Sequence, residues 1–230
     1  ADRLIADGKL DFVAMARKLL ADPELPAKLT AGRPDLVRPC IYCYTCISQI
    51  FFGNHVRCAV NAQTGFESVA PIEPARERKR VLVVGGGPAG MEAARVAAMR
   101  GHEVHLHEAS GRLGGTVFFS SIVYPENGRL IDYLARQIGE LGVQVRLGSV
   151  VTAETARALR PDVIIMATGA RRGLVDIPGV HLPHVFSGDE MREMVTGRFG
   201  PSLRQKLGAR DRFMLRAGKA LGLLDRSATI

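Results

Sequence analysis

Val81-Leu82-Val83-Val84-Gly85-Gly86-Gly87-Pro88-Ala89-Gly90 is the stretch on which the fold turns. Four apolar residues that run into a glycine turn have the length and composition of a buried strand, and the helical pattern from Met91 to Arg100 stops at Gly101. Val104-His105-Leu106-His107 then reads as a second strand, so the three pieces make a βαβ unit with its crossover. Gly85, Gly87 and Gly90 lack Cβ atoms and let the backbone approach a pyrophosphate. The helix N-terminus, opening at Pro88 and Ala89, supplies amide hydrogens and a positive dipole end, and Glu108 after the second strand can accept hydrogen bonds from ribose hydroxyls. A tight turn without ligand is the plainer alternative. The strand before the loop, the helix after it and the acid in place argue for the nucleotide.

Outward from this unit, Leu130, Ile131, Leu134, Ile138 and Leu141 recur at helical spacing up to Gly142, and a strand follows over Val143 to Leu147. Asp162 to Ala167 reads as a further buried parallel strand. His105 and His107 alternate on their strand and face a neighbouring layer rather than a ligand. Ala70-Pro71-Ile72-Glu73-Pro74 and the charged run Arg76 to Arg80 mark a boundary before this domain. Near the start, Leu4-Ile5 and Asp7-Gly8 end a helix, Phe12-Val13-Ala14-Met15 is a short buried-strand run, and Asp22-Pro23 and Pro26 punctuate a loop.

Between these parts lie the four cysteines of the chain. Cys40, Cys43 and Cys46 are separated by two residues each, and Cys58 follows after eleven more. Three thiolates on one tight loop reach three corners of a cubane and a remote fourth closes it. Zinc more often pairs two separate C-x-x-C knuckles, so the middle cysteine favours a [4Fe-4S] cluster. A Cys40–Cys43 disulfide would close a strained small ring in a chain with no secretion signal. His55 is read as a partly exposed loop histidine; a hydrogen bond near the cluster is the sharper reading.

Composition narrows the class. The chain has 230 residues, 47% of them hydrophobic, which is ample for a packed core. No apolar run approaches the length of a membrane span, and Asp2, Arg3, Asp7, Lys9 and Asp11 interrupt any secretory core, so the default is a cytoplasmic protein without a membrane or nucleic-acid partner. The net charge of +8 is partly carried by Arg198, Arg204, Lys206, Arg210, Arg212, Arg216, Lys219 and Arg226, which read as a solvated helix face without interleaved aromatics. Helical patterns gather there around Leu203, Leu207, Phe213, Leu215 and Leu221 to Leu224. The chain opens without a methionine and closes on Ala228-Thr229-Ile230 with no helix stop, so both ends look cut.

Glu108-Ala-Ser-Gly-Arg112-Leu-Gly-Gly115-Thr116 resembles the flavoprotein pattern in which a glycine pair follows the ribose-binding acid, and Ala167-Thr168-Gly169-Ala170 resembles the second motif of that group. Together with the cysteine set and Asp7-Gly8-Lys9-Leu10-Asp11-Phe12-Val13-Ala14-Met15-Ala16-Arg17, they make essentially the whole chain similar to the 2,4-dienoyl-CoA reductase and trimethylamine dehydrogenase family. The resemblance implies an α/β architecture of three parts within a longer protein. These would be the last β/α unit of an FMN-binding TIM barrel (1–36), a cysteine-rich [4Fe-4S] module with its linker (37–78) and a Rossmann-like FAD-binding domain (79–196). A basic helical run-in to an NAD(P)-binding domain (197–230) would follow. It also implies that Ala16 and Arg17 meet the FMN phosphate, although the family usually has glycine where Ala16 stands, and that Thr45, Ala89, Glu108, Arg112, Gly115, Thr116 and Val151 contact FAD. Catalytic residues are expected in the barrel, outside this chain.

The implied activity is an oxidoreductase that moves electrons from NAD(P)H through FAD, the cluster and FMN to an activated alkene such as an enoyl or dienoyl thioester. Amine oxidation of the trimethylamine or dimethylamine dehydrogenase type is the alternative, and a non-catalytic electron-transfer module is the rival from another class. Oligomeric state is not legible in the sequence.

Overall fold

The computed structural model describes residues 2–170, 173 and 175–221. Arg226 of the basic run, Leu223 and Leu224 of the expected helical pattern and the terminal Ala228-Thr229-Ile230 lie outside the described residues. Three short helices open the chain: α1 (Asp2–Ala6), α2 (Arg17–Ala21) and α3 (Leu25–Thr30), followed by a 3-10 turn over Pro34–Leu36. The cysteine loop carries α4 (Thr45–Phe51). Then come β1 (Arg80–Val84), α5 (Pro88–Met99), β2 (Glu103–Glu108), α6 (Gly115–Val123), α7 (Pro125–Glu140), β3 (Gln144–Leu147), α8 (Ala153–Leu159) and β4 (Val163–Met166). Three further helices follow: α9 (Gly188–Thr196), α10 (Pro201–Lys206) and α11 (Ala209–Ala220).

The four strands form one parallel sheet in the order β3-β2-β1-β4, with Val81 opposite Val104 on one side and Val163 on the other. Parallel strands need crossovers, and α5 supplies the first: Pro88 sits in its first turn, and Gly101, at φ +89°, reverses the chain into β2. α5 and α7 cover one face of the sheet. Val81, Val83, Val104 and Leu106 meet Met91, Ala94, Leu130, Ile131, Leu134 and Ile138 there in a single core. Each such fully buried aliphatic side chain contributes about 1.5–3 kcal/mol by leaving water.

The same core reaches back into the first third of the chain. Ala21 and Val60 belong to it, and Cys40, Ile41 and Cys58 pack against it. Polar ties reinforce the join. Buried Asp22 accepts from the Arg38 amide at 2.7 Å and from Lys28 Nζ at 2.8 Å, and Arg38 Nη1 donates to Val60 O at 2.8 Å. Asn61 Nδ2 and Thr64 Oγ1 both donate to Leu20 O.

Two expectations need correction. Phe12 to Met15 is not a strand; a strand requires a hydrogen-bonded neighbour, the sheet of β1–β4 does not extend to it, and Phe12 is 81% exposed. β4 is parallel as expected but not buried. It is the edge of the sheet, paired on one side only, and Ile164 and Met166 are 46% and 68% exposed. No described helix is long and apolar enough to cross a membrane.

Candidate functional site: a dinucleotide cleft and a four-cysteine cavity

At the carboxyl ends of β1, β2 and β4 the chain forms a cleft of about 530 Å³, where ligands of open parallel sheets bind. The glycine loop makes its floor, and its three glycines have different reasons to be there. A Cβ on Gly85, at φ +112°, would lie 2.3 Å from Ala167 O, and one on Gly90 would lie 1.9 Å from Gly85 O. Both are demanded by backbone packing. A Cβ on Gly87 would meet only Gly115 Cα, at 4.0 Å, so Gly87 presents bare backbone to the cleft. It is the N-cap of α5 and no side chain caps that helix, so the first-turn amides are left to a ligand or solvent.

Glu108 lies on the cleft wall, held from below. Its Oε2 accepts from the Gly86 amide at 2.6 Å and its Oε1 from the Ser110 amide at 2.7 Å. Each oxygen keeps a second lone pair for a further donor. Gly85, Gly87, Pro88, Ala89, Arg112, Gly115 and Thr116 line the same cleft, as do Ala167, Thr168 and Gly169 of the second motif. Gly90 lies behind it, against Gly85. Burial, and after it the charge of Arg198, lower the pKa of Arg112, against a smaller pull from Glu108.

Two residues that the family resemblance implies for FAD, Thr45 and Val151, do not line this cleft. Thr45 opens α4 and its hydroxyl sits 3.3 Å from Cys43 Sγ. Val151 follows β3 and does not line the cleft, although nearby Ser149 donates its amide to Glu108 O. Sequence reasoning missed Phe119 of α6 and Arg192, Glu193 and Thr196 of α9 as lining residues, and read Arg198, in the turn after α9, as part of a solvated face. The available signal was the Ser187–Glu190 capping box, which fixes where α9 begins. His105 and His107 stay out of the cleft; His105 Nε2 pairs with Glu103 at 2.9 Å and His107 Nδ1 with Ser149 Oγ at 2.9 Å.

Cys40, Cys43, Cys46 and Cys58 line one small cavity together with Arg17, Tyr42 and Tyr44, and all four thiols are free. The loop bends sharply to bring them there, with Tyr42 and Tyr44 both left-handed at φ 53° and 60°. Burial pushes the Cys58 thiol up from its ordinary value, against hydrogen bonds with the backbone at Val60 and Asn61 that pull it down. Among the described residues no three His, Cys, Asp or Glu side chains are grouped to hold a single metal ion. Arg17 lies over the Tyr42 and Tyr44 rings at 5.2 and 4.9 Å, with Nη1 buried and lacking a hydrogen-bond partner. Ala16 is the N-cap of α2 and is exposed. His55 is exposed in its loop and does not line the cavity.

Residues 79–195 match the pyridine nucleotide-disulphide oxidoreductase family. The chain is 43% identical over 192 residues to an NADH oxidase of Thermoanaerobacter brockii, covering 81% of this chain and 29% of the relative. Among solved structures it is similar to a complex of 2-naphthoyl-CoA reductase with 2-naphthoyl-CoA, at TM-score 0.79 and 34% identity over 86% of this chain and 31% of that one. Histamine dehydrogenase from Rhizobium sp. 4-9 is similar at TM-score 0.71 and 34% identity, over 76% and 27%. The chain spans about a third of the length of the curated relatives it matches. With the glycine loop, the acid after β2 and the second motif converging on one cleft, the chain belongs to the pyridine nucleotide-disulphide oxidoreductase family, and its relatives are those of the 2,4-dienoyl-CoA reductase and trimethylamine dehydrogenase group.

Proposed function

We propose that this chain is the electron-relay portion of an NAD(P)H-dependent flavin and iron-sulfur oxidoreductase resembling 2,4-dienoyl-CoA reductase. The observation that carries the proposal is the joining of two sites by one core: Cys40 and Cys58 pack against the cluster that contains Val81, Met91 and Leu106, next to the glycine loop. In this reading 1–36 is the end of an FMN-binding barrel, 37–78 the cluster module, 79–196 the FAD domain and 197–230 the approach to a pyridine-nucleotide domain.

The cleft suits the ADP part of FAD. Gly87 would let the diphosphate approach, the uncapped first turn of α5 at Ala89 would donate to it, and Glu108 would accept from the ribose. The four cysteines that line one cavity offer the thiolates a [4Fe-4S] cluster would take as its ligands. Arg17 supplies a buried donor there, and Thr45 holds Cys43. When bound, these groups carry hydride equivalents from NAD(P)H to FAD and single electrons through the cluster toward FMN and an activated alkene. The similarity to histamine dehydrogenase supports amine oxidation as the second reading, in which the flow reverses.

Anaerobic reconstitution with iron and sulfide, followed by calorimetric titration with ADP and FAD, tests the proposal. Stoichiometric binding of either nucleotide with about four irons and four sulfides per chain is expected. Zinc without sulfide, or a chain that binds neither nucleotide, overturns it.

A further inference from the structure

The cleft is lined by cations that the glycine-loop motif does not account for. Arg112 lies over the Phe118 and Phe119 rings at 4.0 and 5.1 Å. Arg192 of α9 lies over the same Phe119 ring at 5.1 Å, so that ring has a guanidinium from each of two distant segments, and Arg192 Nη1 also donates to Asp189 Oδ1 at 3.1 Å. Arg198, in the turn between α9 and α10, lines the cleft and is exposed.

The acids of the cleft are already engaged by backbone. Glu108 takes two amides, as described, and Glu193 Oε2 accepts from the Gly200 amide at 2.7 Å. Three guanidinium groups and the positive end of α5 share this space with the two carboxylates, which keep their charge, so cations outnumber anions in the lining and a bound anion would be stabilised. Burial first, and the charge of Arg198 after it, lower the pKa of Arg112 against a smaller pull from Glu108.

The turn that presents Arg198 is fixed. Gly197 is left-handed at φ +67°, a Cβ on Gly200 would meet Glu193 Oε1 at 2.7 Å, and Lys219 Nζ donates to Thr196 O. Phe199 is buried beside Arg198, with the Arg216 guanidinium over its ring at 5.2 Å. The backbone that carries Arg198 is thus fixed at the edge of the cleft.

Resting on the reading of this cleft as a dinucleotide site, the geometry points to Arg198 and Arg192 as diphosphate-binding residues. The α9 segment then forms a second wall, facing the glycine loop, that selects ligands carrying two linked phosphates over a nucleoside.

The test is calorimetric titration of the full chain with ADP, AMP and adenosine at low and at physiological salt, on the parent and on Arg198→Gln, Arg198→Lys and Arg192→Gln. A charge-assisted contact is worth enough that Arg198→Gln should weaken ADP about tenfold, with adenosine unchanged. Arg198→Lys should regain part of the loss, because a point charge remains without the planar fork. Arg192→Gln, which also gives up an ion pair with Asp189, should show the smaller effect, and both Gln variants should flatten the salt dependence of ADP binding. ADP affinity unchanged in Arg198→Gln, or ADP and adenosine weakened equally, overturns the assignment while leaving the dinucleotide site standing. A parent chain that binds none of the three ligands removes the dinucleotide reading and this one with it.

Discussion

Exchanging Gly90 and Gly87 for alanine, one at a time, separates the packing of the glycine loop from its access to ligand. On Gly90 the new methyl carbon would stand 1.9 Å from Gly85 O and 3.3 Å from Ala167 Cβ. The first contact is with backbone and is more than 1 Å too short, so the β1–α5 turn must move as a unit. Overpacking of this kind costs about 1–3 kcal/mol, and the upper value applies where the obstacle is backbone. At about 2–4 °C per kcal/mol for a chain of this size, the melting temperature of Gly90→Ala should fall by about 6–12 °C. Gly87 is different: its φ of −73° suits alanine and the nearest atom is 4.0 Å away. Alanine is a poorer N-cap but costs less chain entropy on folding, so the two terms roughly cancel. Stability should stay within about 2 °C of the parent. The methyl group instead occupies the approach of the diphosphate, and the same overpacking cost in the bound state weakens ADP by about tenfold or more. Circular dichroism melts and calorimetry with ADP on both variants decide the matter. A Gly90→Ala that melts with the parent would refute the packing argument, and a Gly87→Ala that binds ADP normally would show that no ligand passes over Gly87.

Three further outcomes can be checked. Glu108→Ala should weaken ADP by about 1–3 kcal/mol through lost charge-assisted ribose bonds, and an identical dissociation constant would take Glu108 out of the site. Cys43→Ala should lose iron and sulfide on anaerobic reconstitution whereas His55→Ala should not, because a ligand is removed in one case only; equal retention would contradict the ligand assignment. The carboxyl of Glu190 carries the third. Burial would raise its pKa, but Lys206, Ser202 and the Ser187 amide outweigh that and hold it at about 2. A depressed pKa contributes stability above the ordinary carboxylate value and loses it as pH falls toward 2, so acid should loosen the α9–α10 contact, and Glu190→Gln should flatten that stretch of the stability profile. Melting temperatures from pH 2 to 7 that run parallel in parent and variant would count against it.

How far the sequence could be read depended on how local each signal was. The βαβ unit, the α7 stripe and the converging glycine and Ala167-Thr168-Gly169 motifs are short-range patterns, and each lies where it was expected. β4 misled because an apolar run such as Val163 to Met166 reads alike in the centre of a sheet and at its edge; only the strand order distinguishes them. Phe12 to Met15 misled for a related reason, since an extended run becomes a strand only when a partner accepts its hydrogen bonds. The stacking of Arg17 over the Tyr42 and Tyr44 rings beside the cysteines was not legible either, since it depends on the left-handed turns at those two tyrosines. Arg198 was read as part of a solvated face and Arg192 was not singled out, because their place at the cleft comes from a long-range fold-back of α9 over Phe119, which leaves no periodic trace.

The strand order also sets a sequence of events in time. β1 meets β2 across a short crossover, the Lys79 amide reaching His102 only 23 positions on, whereas its other neighbour lies far along the chain, with the Arg80 amide bonded to Asp162 across 82 positions. Closing the longer loop costs more chain entropy, so β1, α5 and β2 should assemble first and β4 should dock last. Until it does, the carbonyl of Ala167 is not yet beside Gly85, and the glycine loop lacks the backbone that confines it from below. Competence to hold a dinucleotide should therefore appear with the slowest folding phase rather than with the first burst of helix formation.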